Sequence, residues 1–245
     1  LMVNRVWYYL LGEGLTPSLS NFGRSGQPPT HPMLLDHLAD EFVRNDWSMK
    51  QLIRRIVLSS TYQQASRTDI ARTEREQRVA LFGIAKRKRL GVESIWRTLQ
   101  RLEYGPNADD QREPPIEMTR EMQLLFDGAN SDLIAPRRSS SVSPLQALFL
   151  MNSEHVKAST QRFAERLLTL PSDEVRIKRA FLLLYSRPPT GDDVKSGLAF
   201  LADWRVDPSE TDDKRKPDEP SPTEIARWQA YLQVLLLSNE FLFVD

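Results

Sequence analysis

Cysteine is absent from the 245 residues. That excludes disulfides, thiolate metal sites, cysteine nucleophiles and a covalently attached c-type haem, which needs a Cys-x-x-Cys-His stretch. It leaves the compartment open. Net charge is absent too, with 33 basic residues against 33 acidic ones, so no global field draws the chain onto nucleic acid or anionic lipid. Apolar runs such as Val234 to Leu237 are far too short to span a bilayer. Histidine occurs three times and never as His-Glu-x-x-His. The ten glycines form no Gly-x-Gly-x-x-Gly, Walker-type loop or Gly-x-Ser-x-Gly elbow, which argues against nucleotide use and against the common serine-hydrolase arrangement. No sustained alternating strand pattern and no internal repeat is present.

What is present is helical periodicity. Val3, Val6, Trp7, Leu10 and Leu11 fall on one helix face, closed by Gly12 and Gly14. Pro32 suits the first turn of a second helix that buries Leu35, Leu38 and Phe42 and turns Asp36, Asp40 and Arg44 outward. Ser48 with Gln51 opens a third, with Leu52, Ile53, Ile56 and Val57 expected inside. Val92, Ile95, Trp96, Leu99 and Leu102 form another stripe. Further helices are expected from Pro144 to Met151, from Glu154 to Leu170, after Ser172, from Thr190 through Trp204, and from Glu224 to about Asn239. Residues 66–89 are polar, and Glu117 to Phe126 is ambiguous. The expectation is an all-α domain of about 8–10 helices with long loops and little or no sheet, running over 1–245. Residues 205–222, almost without apolar side chains, cannot repay their ordering entropy and read as a flexible insertion. The opening Leu-Met-Val-Asn-Arg is neither a signal peptide nor a natural-looking start, so the chain reads as the C-terminal part of a longer protein.

An ordered set of short motifs runs along the chain: Asn4-Arg5-Val6-Trp7, Gly12-Glu13-Gly14-Leu15, Asn21-Phe22-Gly23, His31-Pro32-Met33-Leu34-Leu35-Asp36, Trp47-Ser48-Met49-Lys50 and Leu58-Ser59-Ser60-Thr61-Tyr62. Lys88-Arg89-Leu90, Phe126-Asp127, Arg137-Arg138, Gln146-Ala147-Leu148, Asn152, Arg187-Pro188-Pro189-Thr190 and Ser238-Asn239-Glu240-Phe241-Leu242-Phe243-Val244-Asp245 follow. As a set they resemble the C-terminal PSD1 domain of unknown function (DUF1553) of large exported proteins from planctomycetes and related bacteria. The resemblance implies export to the periplasm or beyond, a multidomain parent, and an upstream domain of the same protein as partner. It places any haem on a separate cytochrome-c-like domain upstream, so that this chain itself holds no cofactor. It supplies no activity. Arg72 to Ala85 departs from the pattern, Thr98 stands where an acid is expected, and the region between Leu99 and Phe126 is short.

Four groups of residues invite a chemical reading. His37 and Glu41 lie four apart beside His31, Asp36 and Asp40, a spacing seen in metal sites; His31 and His37, six apart, are about 120° off register, so a capped helix start with a solvated acidic face is the preferred reading and no metal site is expected. Lys86-Arg87-Lys88-Arg89 near Trp96 suits phosphates, or else is a solvated face or a structural arginine pairing with a buried acid; no nucleic-acid partner is expected. Trp7, Tyr8 and Tyr9 read as core, with Tyr8 off the main face and available to a neighbouring domain. The loop leading into the second helix is the candidate ligand-binding surface, through Asn21, Arg24, His31 and Asp36. Free N–H groups at a helix start favour an anion, Arg24 and His31 add positive charge, and Gly23, Gly26, Pro28 and Pro29 shape the approach. The competing account is an Arg24–Asp36 pair that merely ties the loop down. Two functions therefore stand side by side: an interaction or structural module, and a hydrolase-like enzyme domain whose site around 21–37 is completed upstream.

Overall fold

The computed structural model describes residues 1–22, 24–66, 70–105, 118–129, 141–205 and 220–244. Gly23, Arg137, Arg138, nearly all of the insertion expected at 205–222, and Asp245 lie outside them. The described residues form twelve helices and one two-stranded sheet. In chain order these are α1 (Met2–Leu11), α2 (Pro32–Arg44), α3 (Met49–Val57), α4 (Arg72–Ala80), β1 (Lys88–Arg89), α5 (Val92–Tyr104), α6 (Arg120–Leu125) and α7 (Pro144–Asn152). Then come α8 (Glu154–Leu168), α9 (Asp173–Tyr185), α10 (Gly191–Asp203), α11 (Pro222–Leu236), α12 (Asn239–Leu242) and β2 (Phe243–Val244). The architecture is mainly helical, as the stripes require. Two compact units emerge, one built on Leu1–Lys88 and the other on the described residues between Arg89 and Phe243.

In the first unit α1, α2 and α3 pack mutually around Val3, Val6, Trp7, Leu15, Leu38, Phe42, Leu52 and Ile56. Gly12 ends α1 at φ 87°, a left-handed cap donating to Tyr8 O, where a side chain would be strained. Ser48 caps α3 by accepting from the Gln51 amide. Ile53 departs from expectation. It lies about 100° round α3 from Leu52 and is 39% exposed, because the core takes only the narrow stripe of Leu52 and Ile56. Helix α4 has no buried residue and hence no apolar stripe for periodicity to detect. Its ion pairs one turn apart, Arg72–Glu76 at 3.0 Å and Glu74–Arg78 at 2.7 Å, hold the exposed turns in register.

In the second unit α8 is the central helix, flanked by α5 and α11, with α7 and α9 also against it. Val92, Ile95, Trp96, Leu99 and Leu102 all point into this core, together with Phe163, Leu167, Ile177, Trp228 and Leu232. Thr190–Asp193 and Ser221–Glu224 are full capping boxes opening α10 and α11. The segment around Glu117–Phe126 resolves into α6, capped by Thr119. The last helical stripe breaks at Leu237, and Ser238 caps the separate turn α12.

Candidate functional site

The loop between α1 and α2 is anchored at its base. Asn4, buried on α1, donates from Nδ2 to Thr16 O at 2.9 Å and accepts from the Thr16 amide at 2.8 Å. Its carboxamide thus satisfies both backbone groups of a buried residue, which would otherwise be left unpaired. Gly14 is required beside it, since a Cβ there would lie 2.6 Å from Thr16 O and 2.9 Å from the Asn4 amide. Further along, Thr30 closes back on Leu15 through its amide at 2.8 Å and its hydroxyl at 3.1 Å.

The four residues singled out from the sequence ride on this frame without converging. Asn21 is exposed; its Nδ2 donates to Ser25 Oγ at 3.1 Å, and its carbonyl accepts from Ser18 Oγ at 2.7 Å. His31 is the N-cap residue of α2, with Nδ1 3.0 Å from Thr30 Oγ1 and its ring 5.8 Å from that of Phe82. Arg24 and Asp36 are both exposed. Among the described residues no hydrogen bond or ion pair joins any two of the four, and the Arg24–Asp36 tie does not form. His37 and Glu41 approach to 3.7 Å, with Arg55 also 3.4 Å from Glu41, but among the described residues no three His, Asp or Glu side chains gather around a metal position.

The basic run is turned largely toward protein. Lys86 pairs with Glu13. Lys88 donates to Tyr9 O at 3.0 Å and to Leu10 O, capping the C-terminus of α1 where bare carbonyls attract a cation. Burial, and then the nearby charge of Lys86, hold its pKa below the usual lysine range. Arg89 in the second unit is only 5% exposed at its side chain. It donates to Asp127 Oδ2 at 3.0 Å, Phe126 O at 3.0 Å, Gln146 Oε1 at 2.8 Å and Ser141 O. Asp127 sits at φ 55° and also accepts from the Ser141 amide at 2.7 Å and hydroxyl at 2.8 Å. Burial raises the Asp127 pKa, but the Ser141 bonds and Arg89 outweigh it and leave the carboxyl below its usual value. Gln146 completes the junction by donating to Leu125 O at 2.8 Å.

A second junction joins α9, α10 and α12. The Arg187 guanidinium meets Asp193 at 2.9 Å and Glu240 at 2.8 Å, over the rings of Phe181 and Tyr185. Tyr185 donates to Leu235 O at 2.9 Å and lies 3.0 Å from Ser238 Oγ. A third lies between α5 and α8, where buried Glu103 accepts from Ser159 Oγ at 3.1 Å with Arg162 3.5 Å away. Periodicity gave no hint of Gln146 or Glu103 as buried partners, because each is a lone polar residue whose meaning depends on a distant element.

Chemically these clusters are closed. Arg89, Asp127 and Gln146 bind one another and backbone groups, and so do Arg187, Asp193 and Glu240. A small cavity in the first unit, lined by Leu11, Glu13, Thr61, Val79, Phe82, Ile84 and Lys86, has a volume of about 10 Å³, room for a single water. The motifs scattered through the sequence therefore tie the fold: Asn4 to Gly14–Thr16, Arg89 to Phe126–Asp127 and Gln146, Arg187 to Glu240.

No curated protein and no solved structure matches the chain. One family does, over residues 1–121 and 101–201. The match covers the α1–α2 loop frame and, in the second unit, the Arg89–Gln146 junction, and by it the chain belongs to the PSD1 family, described as a protein of unknown function (DUF1553).

Proposed function

We propose that the chain is an interaction and structural module of an exported multidomain protein, docking through α7 onto an upstream domain of the same polypeptide, in an assembly that includes cytochrome-c-like domains. The observation that carries this reading is α7. Its sequence, Pro-Leu-Gln-Ala-Leu-Phe-Leu-Met-Asn, is apolar almost all round, a composition that belongs to helices covered on every side. Leu150 and Gln146 are buried and Phe149 half-buried, while Leu145, Leu148 and Met151 are 62%, 50% and 49% exposed in one row. Val142 just before the helix and Leu124 on α6 are also bare. A contiguous exposed apolar row is the mark of a partner surface. Replacing Leu145 and Leu148 by Glu should weaken binding of the upstream domain at least tenfold and leave the melting temperature of the chain unchanged. Unaltered binding would remove the proposal.

The hydrolase-like alternative draws support from one feature only. Arg24 and Asp36 stand exposed at the 21–37 loop with no side-chain partner among the described residues, available to a group supplied from outside. Arg24→Ala in the full-length protein, scored for ligand or partner binding at unchanged stability, tests it.

A further inference from the structure

The outward face of α3 has a composition that solvent does not explain. Leu52 and Ile56 point into the core. Lys50 and Arg54 lie about 160° from Leu52 in either sense, so they face directly away from the core. Both are exposed, and among the described residues neither side chain has an ion-pair or hydrogen-bond partner. Leu58 follows Arg54 by four, which extends the same stripe at its C-terminal end, and Trp47 stands in the turn before α3, left-handed at φ 59° with its ring edge-on to Phe42 at 5.4 Å. Leu58 and Trp47 are each 63% exposed. Ile53, bare on the flank, and exposed Tyr62 beyond Leu58 add to it. Arg55 borders the stripe and is held by Glu41 at 3.4 Å.

The charge is one-sided. From Trp47 to Ser66 there is no acidic residue, in a chain whose 33 acids otherwise match its 33 bases over the whole length. Two of the three acids on α2 have partners, Asp40 meeting Arg44 at 2.7 Å and Glu41 meeting Arg55 and His37, while Asp36 in its first turns is exposed. Asp46 is exposed at the turn before Trp47. The apolar members are separate side chains on a convex helix face, spaced between cations rather than fused into one dry patch. A rigid protein partner needs matched hollows for such a surface. A fluid headgroup layer does not, since indole, leucine and isoleucine sink between headgroups while lysine and arginine meet phosphates.

We propose that this stripe seats the protein on an anionic phospholipid bilayer, with Trp47, Ile53 and Leu58 entering the interface and Lys50 and Arg54 on lipid phosphates. The surface lies in the first unit and is independent of the docking role of α7.

The test is co-sedimentation of the 245-residue chain with vesicles of phosphatidylglycerol and phosphatidylcholine in equal parts, against vesicles of phosphatidylcholine alone. Binding is expected to the anionic vesicles only and to fall as salt is raised. Lys50→Gln with Arg54→Gln should weaken it roughly thirtyfold, about fivefold for each cation. Bromine-labelled lipid should quench a part of the tryptophan emission that disappears in Trp47→Phe. All these positions are exposed, and an unchanged melting temperature verifies that the variants fold. Lys178→Gln with Arg179→Gln, on α9, is the control of equal charge change and should cost no more than a few-fold. Three outcomes would overturn the proposal: equal binding to neutral vesicles, equal loss in the α9 control, or no vesicle binding combined with capture of polyglutamate that depends on Lys50 and Arg54. The last would assign the stripe to an acidic polypeptide.

Discussion

Replacing Arg89 by alanine probes the junction on which three separate parts of the second unit meet: β1, the end of α6 and the start of α7. The side chain is nearly inaccessible and satisfies four acceptors: a carboxylate, two backbone carbonyls and the Gln146 amide oxygen. Removing it leaves Asp127 charged and half-buried with only its Ser141 bonds, leaves Phe126 O short of a donor, and leaves Ser141 O only the Gln146 Nε2 bond at 3.2 Å. Breaking one side of a buried pair costs about 3–5 kcal/mol, a large share of the roughly 5–15 kcal/mol that holds a domain together. Urea unfolding followed by far-UV circular dichroism measures it. Arg89→Lys keeps the charge but cannot reach acceptors on two sides, so it should recover less than half of the loss. The partner variant is Asp127→Asn, because Asn tolerates the left-handed backbone at φ 55°. In the double variant the two losses should fail to add by at least about 1 kcal/mol, since both remove the same interaction. A loss below about 1 kcal/mol in Arg89→Ala, or strict additivity, would refute the view that this junction organises the unit.

The same carboxylate sets an acid limb. The pKa of Asp127 is lower folded than unfolded, so its contribution is present above the unfolded value of about 3.9 and is lost as pH falls through the folded one; Asp127→Asn should flatten stability against pH in that acid window. Tyr185 does the opposite: burial foremost pushes its pKa up to about 12, so the stability it contributes is full below about pH 10 and declines as pH rises toward 12, and Tyr185→Phe should blunt that alkaline loss in a pH-jump unfolding series. In the first unit, Asn4→Ala leaves the buried Thr16 N–H and carbonyl unsatisfied and should cost about 3 kcal/mol. Gly14→Ala forces a Cβ against Thr16 O and should cost about 1–3 kcal/mol. Unchanged denaturant midpoints in both would show that the loop base carries no stability.

The α5 stripe and the caps at Ser48, Ser172 and Thr190 were legible in the sequence because each is local: a turn of helix brings residues three and four apart together whatever surrounds them; the cap of α11 at Ser221 was not, since it lies within the segment read as an insertion. The start of α2 at Pro32 and the end of α1 at Gly12 were legible for the same reason. Helix α4 was not, since a helix with no buried face leaves no apolar period to read. The inward placing of Ile53 went astray because periodicity tells which side of a helix is apolar but not how wide a strip the neighbours cover. The sequence also singled out Asn4, Arg89, Asp127, Gln146, Arg187 and Glu240 as parts of motifs, yet nothing local says that Arg89 meets Asp127 and Gln146, or that Arg187 meets Glu240. Partners 38 to 57 residues apart are chosen by the packing of whole helices, as is the choice of which face of the mostly apolar α7 stays bare. By itself, then, the sequence determined that this chain is helical, where most of its helices begin and end, and which family it resembles. Only the tertiary structure decided that its most distinctive polar residues lock the fold while α3 and α7 keep apolar side chains outside it, because a buried charge is stable only where another element brings its counter-charge and hydrogen bonds, and an apolar side chain stays bare only where no element of the chain reaches it.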